Sequence, residues 1–200
     1  MTKHLTVGEV RFSYMNVFKP RAAKEGQQEK YSVTCLLPKS NVEMYNRLMS
    51  ELRAEALGEA EGKLKGVSID HVRHPVHDGD GVKQDGTPYP EECKGHWVFT
   101  ASANPEYPPR VVDQNVMPIM DQSKIYSGAY GYVAIGIYAY SNQTKGIAFG
   151  LNGIQKSKDG EPFGFSFDAN SAFSVLPTQQ STQQVDPITG MPITDDKMPF

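Results

Sequence analysis

Ile125-Tyr-Ser-Gly-Ala-Tyr-Gly-Tyr-Val-Ala-Ile-Gly-Ile-Tyr-Ala-Tyr140, then Ser141-Asn-Gln-Thr144, then Lys145-Gly-Ile-Ala-Phe-Gly-Leu-Asn-Gly-Ile-Gln-Lys156, is the stretch that decides the fold. Apolar residues recur at every second position and are β-branched or aromatic, the mark of a strand whose side chains leave opposite faces. One face carries Tyr126, Tyr130, Tyr132, Tyr138 and Tyr140, spaced by Gly128, Ala134 and Gly136. The other carries Ala129, Val133, Ile135, Ile137 and Ala139, which require a core. Ser141–Thr144 is a polar loop, and Lys145–Gln155 alternates again through Ile147, Phe149 and Leu151. The pattern predicts a long β-hairpin.

Two readings of the Tyr face compete. A second layer covers it and each hydroxyl finds a partner, as in most buried tyrosines. Alternatively it is a stacking platform for bases, flat rings beside glycines that allow close approach.

Two hundred residues suit one domain with appendages. A hydrophobic content of 38% with 18 Gly and 14 Pro points to a turn-rich, all-β chain. No run of about 18 apolar residues is present to span a membrane, and the N-terminus lacks an apolar signal core, so the expected location is cytoplasmic. Cys35 and Cys93 fit a reducing compartment and do not imply a disulfide. Net charge is −3, but its distribution is uneven. Residues 1–39 hold Lys3, Arg11, Lys19, Arg21, Lys24, Lys30 and Lys39 against Glu9, Glu25 and Glu29. The last 24 residues hold Asp186, Asp195 and Asp196 against Lys197. A basic region and an acidic tail on one chain point to an anionic partner more than the net charge does.

In chain order, residues 5–18 read as a strand. Leu5 and Val7 share one phase, and Val10, Phe12 and Tyr14 the other. The switch at Gly8-Glu9 predicts a bulge of the kind that bends a strand around a small barrel. Residues 19–30 form a polar, basic loop, and Tyr31–Leu37 is a second strand stopped by Pro38. Ser40 with Glu43 is a capping box, which predicts a helix carrying Tyr45, Leu48, Met49, Leu52 and Ala56 on one face and ending at Gly58. Residues 58–96 are irregular, with a strand only around Val67–Val72. Trp97–Ala103 is a third strand, Arg110–Asp113 a short one, and 157–162 a turn before Phe163, Phe165 and Phe167 alternate briefly.

Four of the five histidines fall in the irregular stretch, with His71, His74 and His77 spaced by three and Cys93 and His96 beyond. Zn²⁺ takes such ligands. Pro75 lies inside the run, however, so no helix face aligns the rings, and the Cys-x-x-His pair lacks a second Cys. No metal, cofactor or catalytic set is assigned. From Pro177 the composition turns to Thr, Gln, Ser and Pro, too poor in apolar surface to offset ordering entropy, and predicts a disordered tail. The tail ends in Asp195-Asp-Lys-Met-Pro-Phe200, acids followed by an apolar tip. Domain limits of 1–176 and 177–200 follow.

Assembled in order, these pieces resemble a family of bacteriophage single-stranded-DNA-binding proteins. The resemblance rests on Phe12-Ser-Tyr14, Val17-Phe18 and Pro20, Tyr31-Ser-Val33, Leu37-Pro-Lys-Ser40, Gly95-His-Trp97 to Ala101-Ser102, Val111-Val-Asp113, Tyr126-Ser-Gly128 with Tyr130, and Tyr138-Ala-Tyr-Ser-Asn142. It implies an OB fold: a five-stranded barrel with one covering helix, a long hairpin and a tail. It also implies binding of single strands without sequence preference. The tip is similar to that of bacterial and phage single-strand-binding proteins; Asp195, Asp196, Pro199 and Phe200 match, while Lys197 and Met198 depart. The expected partners are therefore single-stranded DNA and, through the tail, replication or recombination proteins; a homodimer is allowed.

Bases stack on aromatic faces whatever their identity, and lysine and arginine follow the phosphates. The expected stackers are Tyr130, Tyr132, Tyr138 and Trp97, although Trp97 suits a core equally. The expected phosphate partners are Lys19, Arg21, Lys24 and Lys30. The acidic tip, carrying the same charge as DNA, is expected to compete for the groove. Two other classes remain open: a metal-dependent nuclease using the His/Asp cluster, and a structural or interaction protein of a virion. Two-metal chemistry wants carboxylates held on rigid elements, whereas Asp78 and Asp80 lie in a Gly-rich loop.

Overall fold

The computed structural model describes residues 3–22 and 25–164. Seven strands form one sheet: β1 Lys3–Arg21, β2 Lys30–Pro38, β3 Val76–Asp78, β4 His96–Ala103, β5 Arg110–Val112, β6 Tyr130–Ser141 and β7 Lys145–Lys158. Among the described residues one α-helix, α1, spans Val42–Gly58. Strand β1 pairs antiparallel with both β2 and β6, β2 with β4, and β6 with β7. A parallel contact of β4 with β7, Ala101 beside Phe149 and Ser102 beside Gly150, closes the ring. The result is a five-stranded barrel with OB connectivity, to which β3 and β5 are added at the edges of β4 and β7.

The interior is filled by one phase of every barrel strand. Val7, Val10, Phe12, Val33, Cys35, Leu37, Phe99, Ala101, Val133, Ile135, Ile137 and Phe149 are all buried. The aliphatic phase of the hairpin is thus the core phase, as its alternation predicts. β1 keeps this phase only by means of irregularities. Its register with β6 shifts between Val7 and Val10, where Gly8-Glu9 is read as a bulge. Its register with β2 shifts again between Ser13 and Asn16. There two residues, Tyr14 and Met15, lie opposite Val33 alone, which inverts the strand a second time. Tyr14, expected to share the core phase of Phe12, points outward instead and is 62% exposed.

Helix α1 packs mainly against β6 through Leu48, Leu52 and Ala56, with Tyr45 and Met49 at the margin. Its N-cap is Asn41, one residue later than expected. The turn closed by the Asn41 N–H on the Pro38 carbonyl takes up Ser40, and Asn41 Oδ1 accepts from the Met44 N–H at 3.2 Å. Glu55 accepts from the Ala139 N–H, and Lys63 donates to the Ala139 carbonyl, so the helix and the turn after it hold β6 by its backbone.

No strand forms over Val67–Val72. Residues 69–71 make a 3-10 turn, and the strand is β3, which starts immediately after Pro75 and lies on β4. Proline lacks a donor for the ladder and suits this entry position. At the other ends the strands outrun expectation: β1 continues through Arg21, and β7 through Lys158. Both cysteines are free, Cys35 inside the barrel and Cys93 outside it. Burial pushes the Cys35 thiol far above its ordinary range. No described helix is long and apolar enough to cross a membrane. The segments 165–200 and 23–24, with the boundary at 176, lie outside the described residues.

The packing of α1 sets a measurable contrast. Leu48 is fully buried while Leu57 is 55% exposed. Leu48→Ala is expected to cost about 2–5 kcal/mol in urea unfolding, and Leu57→Ala to stay within about 0.5 kcal/mol.

Candidate nucleic-acid interface

On the outer side of β1, β2 and β4 the side chains fall into cross-strand rows. Ser13 lies opposite Thr34, which lies opposite Thr100. Next come Asn16, Ser32 and Ser102, and at the end Arg21 faces Lys30. The floor is therefore short and hydroxyl-rich, with Thr34 Oγ1 and Thr100 Oγ1 sharing a hydrogen bond at 3.1 Å. Above it runs an open trough in two segments. One, of about 650 Å³, is bounded by Tyr14, Asn16, Arg21, Gln28, Lys30 and Ser102. The other, of about 310 Å³, is bounded by Tyr14, Thr34, His77, Lys83, Tyr89 and Thr100. Tyr14 and Thr100 border both, so the segments adjoin.

Two rings rise from this floor. Tyr14 stands on the second irregularity of β1 with φ +45°, a left-handed conformation that a bulky residue adopts only when its surroundings fix it. Asn16 Nδ2 donates to the Tyr14 carbonyl, and Ser127 Oγ accepts from the Met15 N–H. Tyr89 comes from the loop after β3, where it packs on Leu36, Val98 and Cys93; the Lys83 ammonium lies 5.8 Å from its ring centre. Neither ring was marked by the sequence. Tyr14 required knowledge of the bulge, and Tyr89 sits in a loop with no periodic signal.

The hairpin tyrosines occupy a different surface. Tyr132 and Tyr138 are 39% and 37% exposed on the outer face of β6, with Ala134 and Gly136 between them and Gly150 and Gly153 of β7 alongside. Gly8 permits this: a Cβ there would meet the Tyr132 ring at 2.4 Å. Among the described residues no second layer buries these two rings. Tyr130 is held between Arg11, 5.4 Å from its ring, and Lys158, 4.8 Å away. Lys158 also pairs with Glu9 at 2.6 Å. Tyr126 donates its hydroxyl to Asp159 and Gly160.

Trp97 leaves β4 on the inward phase, opposite to Val98 and Thr100. It stacks on Tyr45 of α1 with ring centres 4.3 Å apart, beneath Lys39. Of the basic residues, Arg21 and Lys30 border the trough, and Lys19 is exposed on β1 outside its lining. Lys24 lies outside the described residues, as do Asp195, Asp196, Pro199 and Phe200.

The carboxylates nearest to a nuclease-like arrangement are engaged elsewhere. Lys39 Nζ contacts Asp78 Oδ1 at 2.5 Å and Asp80 Oδ2 at 2.7 Å. The Asp80 N–H caps Asp78, and the Gly95 N–H caps Asp80. The ammonium first, then these backbone donors, hold both carboxyls below their ordinary range. Together they staple the loop after β3 to the end of β2. Among the described residues, no group of three or more His, Cys, Asp or Glu side chains is arranged to hold a metal ion.

Comparison with known proteins bears on this geometry. Residues 3–185 match the family model described as the single-stranded-DNA-binding protein of Enterobacter phage Enc34. The solved structure of that phage's single-stranded-DNA-binding protein in complex with single-stranded DNA superposes with a TM-score of 0.67 at 29% identity, over 80% of this chain and 89% of that one. Protein p50 of Acyrthosiphon pisum secondary endosymbiont phage 1 is 26% identical over 166 residues, 80% of this chain and 85% of its own. The single-stranded-DNA-binding protein gp2.5 of bacteriophage T7, at 14% identity and a TM-score of 0.56 over 84% of this chain and 98% of that one, shares the fold.

The Lys39 staple has a definite pH signature. With both carboxyls depressed, its contribution is complete above their unfolded pKa of about 3.9 and is lost as pH falls through the lower folded values. Lys39→Met is expected to lower the thermal midpoint at neutral pH and to leave the parent and variant alike in strong acid. A midpoint difference that persists unchanged down to about pH 2 would assign the loss to packing on Trp97 instead.

Proposed function

The chain belongs to the Enc34 single-stranded-DNA-binding family, and from that premise we propose that it binds single-stranded DNA, of any sequence, along the trough on β1, β2 and β4. The observation that carries this reading is the trough itself: a floor of short polar side chains with an aromatic ring at Tyr14 and another at Tyr89, and cations at both ends. This is the sheet face that OB folds use for oligonucleotides. Short hydroxyls let a sugar-phosphate chain lie close, and rings accept any base by its π face. Arg21 and Lys30 face each other across the strands, a like-charge pair that costs stability until an anion lies between them. A duplex hides its base faces, so only its phosphates would gain.

Acting by binding rather than catalysis, the protein would protect single strands during phage DNA replication or recombination in the host cytoplasm. On this reading residues 1–176 bind DNA, and 177–200 recruit replication or recombination proteins through Asp195, Asp196, Pro199 and Phe200. A second reading keeps the exposed Tyr132 and Tyr138 face as the platform, because its small residues also admit a flat ligand.

Fluorescence titration with single- and double-stranded oligonucleotides tests the core of this. Single strands are expected to bind much more tightly, with affinity falling as salt rises; equal affinity for both forms would overturn it. Tyr14→Ala is expected to weaken binding by about 1–3 kcal/mol without altering the salt slope. Arg21→Ala should also flatten that slope by about 0.7 for one phosphate contact. Loss on Tyr138→Ala with no loss on Tyr14→Ala would move the strand to the hairpin face.

The tail is tested separately. Deleting residues 190–200, or Phe200→Ala, is expected to abolish capture of replication proteins while single-strand binding persists. Capture that survives both changes assigns recruitment to the barrel.

A further inference from the structure

The histidines between α1 and β3 remain without a role, and the shape of the surface supplies one. Beyond Tyr89 the trough opens into a further recess of about 500 Å³, bounded by His71, Arg73, His74, His77, Gln84 and Tyr89. His77 and Tyr89 line both spaces, just as Tyr14 and Thr100 link the two trough segments. The three spaces thus adjoin one another in series along the surface. Resting on the reading that the trough holds a single strand, we propose that this recess is an additional phosphate-binding subsite, where Arg73, His74 and His77 receive the DNA backbone as it passes Tyr89.

The charges select an anion. Arg73 is exposed and its guanidinium donates to the neutral Gln84 carboxamide at 2.8 Å, which consumes no charge. Asp70, the acid in the recess, lies 4.0 Å from Arg53. A metal cation among these histidines would sit beside the Arg73 guanidinium, whereas a phosphate would be attracted by it. The base is firm: the Ile147 N–H holds the Arg73 carbonyl at 2.8 Å, and His77 pairs with Val98 in the sheet.

Protonation follows from the same geometry. Arg73, His74 and His71 face the recess beside His77 from its own segment. Asp70 and Tyr89 also border the recess, and Lys83, Cys93 and Tyr14 border the neighbouring trough segment that His77 shares. Desolvation first, then the charges of His74 and Arg73, hold His77 below the ordinary imidazole range. A phosphate arriving there favours the protonated ring, so binding takes up a proton. The resulting gain in affinity is present at low pH and fades as pH rises through the pKa of His77 in the complex.

The test measures anisotropy of labelled oligothymidylates of about 4 and about 16 nucleotides on the full-length protein, at about pH 6 and about pH 8. Arg73→Ala is expected to weaken the long strand about tenfold, to flatten its salt slope by about 0.7, and to leave the short strand nearly unchanged. His77→Gln should remove the extra tightening near pH 6, and His77→Lys should keep tight binding at both pH values. The subsite is overturned if the parent binds the long strand and both Arg73→Ala and His77→Gln match it in affinity, slope and pH response. Equal weakening of short and long strands by Arg73→Ala would also overturn it. A parent that binds neither strand refutes the trough reading beneath it.

Discussion

β1 must hydrogen-bond on both edges, to β2 and to β6, while coiling around a barrel of only five strands. A regular ribbon cannot do this over the 19 residues of β1. The strand bends where it gains extra residues, near Gly8-Glu9 and again at Tyr14-Met15, and each insertion reverses which side chains face inward. The central ring of the proposed DNA face depends on the second reversal. It turns Asn16 outward, in the same phase as Ser13 and opposite Ser32, and it lifts Tyr14 over the row they make. A regular strand would have sent Tyr14 into the core behind Phe12 and left the trough without its central ring.

How legible this was in the sequence depends on whether the deciding signal is local. The alternation from Tyr130 to Ala139 and from Lys145 to Gln155 is local, so the hairpin and its core phase could be read directly. The first bulge was also legible, because the apolar phase itself changes across Gly8. The second was not: Phe12 and Tyr14 look like continuous alternation, and no glycine marks the break. The inward phase of Trp97 follows from its spacing with Phe99 and Ala101, but its partner Tyr45 belongs to a helix 52 residues earlier. The excess of basic residues over residues 1–39 was legible, yet sequence could not tell that Arg21 and Lys30 meet across strands while the hairpin tyrosines face elsewhere. Ser40 and Asn41 are both good caps, and only the geometry of the 38–41 turn chooses between them.

The loop after β3 shows how an irregular segment can be made part of the proposed binding face. Cys93, Leu36 and Val98 form a small apolar cluster on the outside of the barrel, with Tyr89 and Phe163 against it. The Lys39 staple holds the same loop from the other side. Apolar anchoring and a charged clamp together fix Tyr89 and Lys83 at the rim, so a loop without periodic structure still presents its ring in a defined place. Gly79 fits the same constraint, since a Cβ there would meet the Cys93 carbonyl oxygen at 2.0 Å.

A net charge of −3 looks unfavourable for the proposed contact with phosphates. Whole-chain charge is nevertheless the wrong quantity, because at physiological salt an exposed charge is felt over only about 8 Å. Within the described residues several acids already have partners: Asp78 and Asp80 with Lys39, Glu9 with Lys158, Asp159 with Lys156, and Glu91 with Lys94. The one-to-one pairs are nearly neutral beyond that distance, and Lys39 cancels one of the two charges of Asp78 and Asp80. Along the proposed path Arg21, Lys30, Lys83 and Arg73 outnumber the one bordering acid, Asp70, which itself lies 4.0 Å from Arg53. A chain acidic overall can thus present a basic path, provided its acids serve as internal clamps away from the line that the ligand follows.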